Sequence, residues 1–289
     1  MGKLFKTLIF DGEISLSIID STDIVNQAIK YHQLTPVCAA ALGRVLTVTT
    51  FMASSLKHES EKLSITIEGN GKGGTIVTAA DGSLGVRGLI SNPFADLPLN
   101  SKGKLDVGGV VGNDGYITVI KNLGLKEPYV GRCNLTSGEI AEDFTAYYAY
   151  SEQQPTAMAL GVLIGKGEVC VGAGGLIIQP LPSCSEESIV KAEELISKFT
   201  DISSQIRDLG AQGIIEKYFS EYEFTEYNPV YRCNCSRDYM DGILITLGEN
   251  DLYDMIEKDG KIEICCHFCD QKYVYYKEDI DKLLGKTNE

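Results

Sequence analysis

The sequence predicts an α+β protein in three parts: a glycine-rich β-sheet domain with packed helices over residues 1–180, an acidic helical linker over residues 181–231, and a small C-terminal domain of a hairpin and helices over residues 232–289. Three observations support this division. Of the 30 glycines, 24 lie in the first part. The second part carries ten acidic and four basic side chains. The third part holds five of the nine cysteines.

The first part is predicted to contain hairpins and a few helices. Asp11-Gly12 is a turn signal between two apolar runs. Thr35 followed by Pro36 marks a helix start, since proline is favoured at the first helical position, and a largely buried helix follows over Ala39–Leu56. Apolar runs and period-two alternation predict strands at Phe5–Phe10, Ile14–Ile19, Leu63–Glu68, Gly115–Ile120, Ala157–Ile164 and Glu168–Ile178.

Two segments have the spacing of a helix capping box, in which a serine or threonine precedes a glutamate by three residues. Thr136-x-x-Glu139 predicts a helix that runs through Tyr150. Ser183-x-x-Glu186 predicts the first helix of the linker.

The linker shows apolar residues at helical spacing from Ile189 to Phe219. Its helices are short, their apolar stripes are narrow, and their net charge is −6. Such helices are marginal in isolation and must dock on another surface. An ordinary helical hairpin without a regulatory role is the alternative at this point.

The C-terminal part begins at Cys233, and Ser236 is predicted to cap a helix that ends at Gly248. The pattern then predicts a second helix at Leu252–Ile256, an extended run at Lys261–Ile264, a returning strand at Lys272–Tyr276 and a closing helix at Lys277–Leu284. Fewer than 60 residues form a small core, and domains of this size commonly need a disulfide or a metal ion.

A zinc ion is the predicted cross-link. Cys233-x-Cys235 and Cys266-x-x-Cys269 offer four thiolates from two short loops, which is the ligand set that tetrahedral Zn²⁺ prefers. Unligated cysteines are the alternative. A reducing cytosol disfavours structural disulfides, so a tight cysteine cluster there indicates metal or redox chemistry.

Four further residues are given structural interpretations. Cys265 lies one residue outside the Cys-x-x-Cys spacing and is expected to face away from the metal. His267 lies inside the knuckle, but four cysteines suffice, so we expect a solvated side chain. Cys38 and Cys170 lie among small apolar residues and are expected to be buried.

Composition argues against several classes of function. A net charge of −14 disfavours nucleic-acid and anionic-membrane binding. The chain shows no secretory signal and no run of 18 apolar residues, so we expect a cytoplasmic protein without a membrane span. Gly69-x-Gly71-x-x-Gly74 precedes strand-like residues rather than a helix, which predicts a hairpin turn and not a dinucleotide site. No nucleophile motif occurs, and we expect no enzyme activity.

The order of these parts resembles the 33 kDa chaperonin family (heat shock protein 33 homologues), and the resemblance covers nearly the whole chain. Its most specific stretch is Asp259-Gly260-Lys261-Ile262, which leads to Cys266-x-Phe268-Cys269 and Tyr273. Shorter matches are Ala41-Leu42-Gly43-Arg44, Ile67-Glu68-Gly69-Asn70-Gly71, Ser137-Gly138-Glu139-Ile140-Ala141, Glu152-Gln153-Gln154-Pro155 and Gly174-Gly175.

The resemblance implies a redox-regulated chaperone that holds unfolding client proteins without ATP under oxidative stress. Cys233, Cys235, Cys266 and Cys269 would hold one zinc ion in the reduced, inactive protein. Oxidation would form Cys233–Cys235 and Cys266–Cys269 disulfides and release the zinc. The extra thiol of Cys265 departs from the pattern and leaves the pairing of the second disulfide open. Homodimer formation by the oxidised protein also stays open.

Two other functions remain as alternatives. A zinc-ribbon nucleic-acid binder would need a basic face, which the acidic chain does not offer. A thiol–disulfide oxidoreductase would place the first cysteine of Cys266-x-x-Cys269 at a helix N-terminus, where its pKa falls. Here the motif follows strand-like residues and leads into a strand.

Overall fold

The computed structural model describes residues 1–286 and divides the chain into two compact units, one spanning Met1–Arg232 and one beginning at Cys233. The first unit contains, in chain order, β1 (Lys3–Ile9), β2 (Ile14–Asp20), α1 (Thr22–His32), α2 (Pro36–Ala53), β3 (Lys62–Gly69), β4 (Ile76–Asp81), β5 (Gly85–Ile90), α3 (Val107–Val111), β6 (Gly115–Asn122), β7 (Tyr129–Asn134), α4 (Ala141–Tyr147), a π-helical turn (Tyr148–Glu152), β8 (Ala157–Ile164), β9 (Cys170–Pro180), α5 (Glu186–Ser197), α6 (Ile202–Tyr218), β10 (Thr225–Tyr227) and β11 (Val230–Tyr231). The second unit contains α7 (Arg237–Ile245), α8 (Glu249–Asp259), β12 (Ile262–Cys265), β13 (Lys272–Tyr275) and α9 (Lys277–Leu283).

The first unit is built on two sheets. The order of the five-stranded sheet is β10-β1-β2-β9-β8, and every pairing in it is antiparallel. The order of the six-stranded sheet is β11-β5-β4-β3-β6-β7, in which only the short β11 runs parallel to its neighbour. After α6 the chain therefore adds β10 to the five-stranded sheet and β11 to the six-stranded sheet. Together with the helices, these sheets confirm the predicted α+β class.

Helix α2 forms the centre of the main core and contacts strands of both sheets. Its hydroxyl-bearing residues Thr47, Thr49 and Thr50 are fully buried, and each donates a hydrogen bond to the carbonyl four residues earlier. Among the described residues it is the one helix long and apolar enough to cross a membrane, but 89% of it is buried inside the unit. It is therefore the core helix of this fold.

The helices predicted for the linker pack against the opposite face of the five-stranded sheet. Phe199, Ile202 and Ile214 are at most 1% exposed. This second core joins Ala192, Leu195, Phe199, Ile202, Ile206, Ala211, Ile214, Ile215 and Phe219 of the helical segment to Phe5, Ile9, Ile14, Leu16, Ile18, Leu176 and Ile178 of the sheet. The sheet is thus apolar on both faces, and the helices cover one of them.

Helix α6 is broken in its middle. Gly210 has φ of 66° and ψ of 172°, a backbone conformation that favours glycine and lies outside the helical region. The sequence pattern predicted continuous helical spacing across this position, and the structure instead gives two helical pieces that follow the sheet surface.

Both predicted capping boxes are wrong in detail. Helix α5 begins after Ser185, whose hydroxyl accepts the Ser188 N–H at 3.3 Å, and Ser183 has a positive φ of 73°. Helix α4 begins at Ala141, five residues after Thr136. A motif of four letters does not specify which residue takes the extended backbone that a cap requires.

The loop before α4 is organised by the buried carboxylate of Asp143. One of its oxygens accepts the backbone N–H groups of Thr136, Ser137 and Gly138 at 2.7, 2.9 and 3.2 Å. The other accepts the N–H of Ile140 at 2.8 Å. Ile140 has a φ of 69°, which is unfavourable for a β-branched residue, so these hydrogen bonds hold a strained turn.

Other predictions are confirmed. The Asp11-Gly12 turn lies between β1 and β2, the Gly69–Gly74 segment lies between β3 and β4, and Ser236 caps α7. Cys38 and Cys170 are 0% and 2% exposed. The division of residues 1–231 into a core domain and a linker stays a prediction.

Replacing the carboxylate that organises the α4 loop tests its role. We expect Asp143→Asn to lower the free energy of unfolding of the first unit by about 1.5–3 kcal/mol, because an amide nitrogen faces a backbone N–H in place of a charged acceptor. Hydrogen exchange of the β3 amides measures this change. The exposed neighbour variant Glu142→Gln is the control, with an expected change within about 0.5 kcal/mol. Equal exchange rates in the two variants would contradict the assignment.

Candidate metal centre

The second unit has a small apolar core. Tyr275 and Leu244 are at most 1% exposed, and the Tyr275 hydroxyl donates to an Asp241 carboxylate oxygen at 2.7 Å. The buried members of this core are Met240, Leu244, Leu252, Ile256, Ile262, Cys266, Tyr275 and Ile280. One of the eight is a cysteine, so the packing of this unit already includes the sulfur cluster.

The two cysteine pairs come from two different local structures. Cys233 and Cys235 lie on an extended segment that ends where the Ser236 hydroxyl accepts the Tyr239 N–H and begins α7. The second pair lies in the turn that joins β12 to β13.

The turn that carries the second pair is closed by backbone hydrogen bonds. The Cys266 N–H donates to the Gln271 carbonyl at 2.9 Å, and the N–H groups of Cys269 and Asp270 donate to the Cys266 carbonyl at 3.3 and 2.8 Å. This geometry directs both sulfur atoms to the same side of the hairpin.

The four sulfur atoms converge. The Sγ atoms of Cys233 and Cys266 are 3.5 Å apart, those of Cys235 and Cys269 are 3.4 Å apart, and all four lie within 4.8 Å of one another. Four sulfurs at about 2.3 Å from a tetrahedral zinc ion are about 3.8 Å from one another. The cluster therefore fits a metal ion in both number and spacing of its ligands.

Tyr273 is a residue of this site whose role the sequence pattern did not reveal. Its hydroxyl donates a hydrogen bond to the Cys235 Sγ at 3.2 Å. This hydrogen bond raises the pKa of Tyr273 to about 12. The alternation of residues along β13 gives the strand, but it does not show that this side chain contacts a sulfur atom of the segment before α7.

The thiols differ in acidity. Burial raises the pKa of Cys233 to about 11, and burial likewise raises the pKa of Cys269. Burial also acts on Cys235, but hydrogen bonds with Tyr273 and the other three thiols outweigh it and lower the pKa of Cys235. A metal ion must displace the protons of these thiols, so metal affinity rises with pH.

The other residues of the knuckle lie outside the cluster. Cys265 and His267 are exposed, and neither belongs to the four-sulfur group. Partial burial raises the pKa of Cys265, with a further contribution from Asp270. Cys266 follows strand β12 and lies in a hairpin turn, which is not the helix N-terminus that an oxidoreductase of the Cys-x-x-Cys type requires.

Comparison with known proteins agrees with this arrangement. Residues 2–276 match the protein family described as "Hsp33 protein". The chain belongs to the Hsp33 family. It is 43% identical over 278 residues to the 33 kDa chaperonin of Acetivibrio thermocellus, which covers 95% of this chain and 94% of that protein. It is 38% identical over 290 residues to the 33 kDa chaperonin of Bacillus subtilis, with 99% of each chain covered.

A solved structure of the Hsp33 family shares the fold. The crystal structure of the 33 kDa chaperonin (heat shock protein 33 homologue) of Thermotoga maritima superposes with a TM-score of 0.86 at 33% sequence identity. The match covers 98% of this chain and 97% of that one. The family resemblance stated from the sequence is confirmed, and the chain is a chaperone of the Hsp33 family.

The Tyr273 hydroxyl offers a direct test of this site in the Hsp33 fold. We expect Tyr273→Phe to weaken Zn²⁺ binding by the reduced protein about tenfold, since loss of a hydrogen bond to a metal ligand typically costs ten- to a hundredfold in affinity. Competition with a chromogenic chelator measures the change. Tyr276→Phe is the matched control, because Tyr276 is 54% exposed and belongs to neither the core nor the cluster. Equal affinities in the two variants would remove Tyr273 from the site.

Proposed function

We propose that this Hsp33 family chaperone is an ATP-independent holdase that oxidation activates. Cys233, Cys235, Cys266 and Cys269 would hold one zinc ion in the reduced, inactive protein. The observation that carries the proposal is the convergence of these four sulfur atoms within 4.8 Å in a unit with a small core of its own.

Zinc would hold the four sulfurs as thiolates and tie the β12–β13 hairpin to the segment that precedes α7. Metal binding contributes about 10–16 kcal/mol to the folding of small zinc modules. Whole domains are stable by only about 5–15 kcal/mol. The C-terminal unit is therefore expected to unfold when its sulfur atoms no longer bind metal.

Oxidation consumes the ligands in two identical steps. In each step two thiolates lose two electrons and form one S–S bond, hydrogen peroxide accepts these electrons, and with two protons it gives two molecules of water. We propose the pairs Cys233–Cys235 and Cys266–Cys269, which the resemblance to the Hsp33 family implies. Thiolates, rather than thiols, are the species that peroxide attacks.

Unfolding of the C-terminal unit would loosen the segment that precedes it. Cys233 follows β11 after one intervening residue, and β10 and β11 are only three and two residues long. The helical segment before them, residues 185–224, carries nine acidic and four basic side chains and has a net charge of −5, so its own charges oppose its compact arrangement. Its attachment to the five-stranded sheet is the apolar contact described above.

Release of this segment would expose two apolar surfaces at once. One is the outer face of the five-stranded sheet, including Phe5, Leu16 and Ile178, and the other is the stripe that includes Phe199 and Ile214. Large exposed apolar patches bind other proteins or self-associate. The proposed partners are thus unfolding client proteins, with a second copy of the oxidised chain as a further partner.

Metal content tests the ligand assignment. The reduced protein should contain one zinc ion per chain, because four thiolates saturate the ion. Cys269→Ser should lose most of this zinc when it is measured by elemental analysis after dialysis. Cys265→Ser is the matched control and should keep the full amount, since Cys265 lies outside the cluster. Unchanged zinc in Cys269→Ser would contradict the assignment.

Activation tests the function itself. Treatment with peroxide and mild heat should release zinc, reduce helix content and suppress the aggregation of a denatured test protein without ATP. We expect Phe199→Ala to activate at a lower peroxide dose, because loss of a buried phenylalanine costs about 3–5 kcal/mol of the contact that holds the helices on the sheet. Light scattering, circular dichroism and zinc release are followed in parallel.

The control for this experiment is Leu209→Ala in α6, the helix that follows Phe199 along the chain, where the side chain is 39% exposed. It should activate as the wild-type protein does. Release of zinc without a change in helix content or holdase activity would contradict the proposed coupling between the cysteine cluster and the helices.

A further inference from the structure

Strand β7 leaves one edge of the six-stranded sheet unpaired. It is the last strand of that sheet and pairs only with β6. The Leu135 N–H bonds to the Gly115 carbonyl, which fixes the alternation of the antiparallel ladder. By this alternation the backbone groups of Val130, Arg132 and Asn134 point away from β6. Within residues 1–286 their N–H groups have no backbone partner.

The C-terminal part of this edge, residues 132–136, forms one wall of an open groove of about 540 Å³, and Val130 continues the same edge beyond it. The opposite wall is formed by α4 and the π-helical turn, through Ala146 and Tyr150. The Tyr150 ring is 80% exposed. A groove between an edge strand and a helix is the arrangement in which several domains bind an extended peptide as an additional strand.

The groove is held in place by a partly buried polar network. Glu152 pairs with Lys121 of β6 at 2.6 Å and accepts a hydrogen bond from the Tyr147 hydroxyl at 2.7 Å. Gly131 of β7 lies so close to this wall that an added Cβ would be 2.5 Å from the Tyr147 hydroxyl oxygen. The two walls are therefore fixed relative to each other before any ligand binds.

The charge of the groove differs from that of the chain as a whole. Arg132 lines it, and no acidic side chain does. The Arg132 guanidinium lies 3.3 Å from the centre of the Tyr116 ring, and in the described part of the chain no carboxylate pairs with it. An unpaired cation on a protein with a net charge of −14 favours a ligand that carries an acidic group.

We propose that the groove along β7 binds an extended segment of an unfolded client as an added strand. The backbone of the client would pair with Val130, Arg132 and Asn134, an acidic side chain would meet Arg132, and an apolar side chain would pack on Tyr150. A second copy of the chain is a poorer occupant, because a two-fold antiparallel pairing of β7 centred at Arg132 places two arginines opposite each other.

This inference rests on the proposed holdase function but differs from it in one respect. The groove is open in the structure in which α5 and α6 cover the five-stranded sheet. Extended peptides should therefore bind weakly to the groove of the reduced protein. Oxidation should then expose the apolar face of the five-stranded sheet as a second binding surface for the same client. Two linked contacts on one client raise the overall affinity above either alone.

The test uses the full-length reduced protein and two short fluorescein-labelled peptides of alternating valine and threonine, one with a central glutamate and one with a central lysine. Fluorescence anisotropy measures binding. Val130→Pro removes an outward N–H that β6 does not use and should weaken binding about tenfold. Val130→Thr keeps the N–H and should bind as the wild-type protein does. Arg132→Glu should reverse the preference from the glutamate to the lysine peptide.

The outcomes separate this inference from the proposed function. Binding of both peptides by every variant with wild-type affinity, or by none including the wild type, would overturn the groove. If Val130→Pro does not fold, the peptide preference of Arg132→Glu is the deciding measurement. Reversal of that preference supports the groove, and an unchanged preference contradicts it. Holdase activity of the oxidised wild-type protein is measured alongside. Its absence would contradict the proposed function, while specific peptide binding by the reduced protein would still support the groove.

Discussion

The convergence of four sulfur atoms from two segments 30 residues apart is the constraint on which the C-terminal unit depends. Seven apolar or aromatic side chains besides one cysteine form its buried core, which is little for a unit of this length. Its stability is therefore tied to the chemical state of its cysteines more closely than that of the first unit, whose core fills the space around α2 and two sheets.

The five-stranded sheet has apolar side chains on both of its faces. Helix α2 packs on one face, and α5 and α6, the second of which is divided at Gly210, pack on the other. Strands β1 and β2 direct Phe5, Ile9, Ile14, Leu16 and Ile18 toward the linker helices, whereas only Leu4 and Ile19 of these strands join the core around α2.

Local sequence signals predicted the elements whose cause is local. The Asp11-Gly12 turn, the proline start of α2, the Ser236 cap and the two cysteine pairs all depend on neighbouring residues. Features that depend on distant residues were not predicted from the sequence. The return of β10 and β11 to two different sheets involves partners more than a hundred residues away, and the order of strands carries no sequence signature.

Two errors have specific physical causes. Asp143 lies inside α4 and organises the preceding loop. Thr136, the first residue of the predicted capping box, therefore donates its backbone N–H to this carboxylate and does not cap the helix, and Ser137 donates in the same way. Tyr273 of β13 donates a hydrogen bond to Cys235 on the segment before α7, and strand periodicity does not show which distant side chain a residue contacts. In both cases tertiary packing decides which hydrogen-bond partner each polar group has, and the sequence pattern carries no information on that packing.

The break at Gly210 divides helix α6, which packs on the five-stranded sheet, into two parts. Ile202 and Ile206 precede it, and Ala211, Ile214 and Ile215 follow it, so each half of the helix has its own hold on the sheet. The non-helical backbone at Gly210 separates these two sets of contacts. For the proposed release of the helices, this division offers two separate points of detachment, so the sheet can be uncovered without the loss of all these apolar contacts at once.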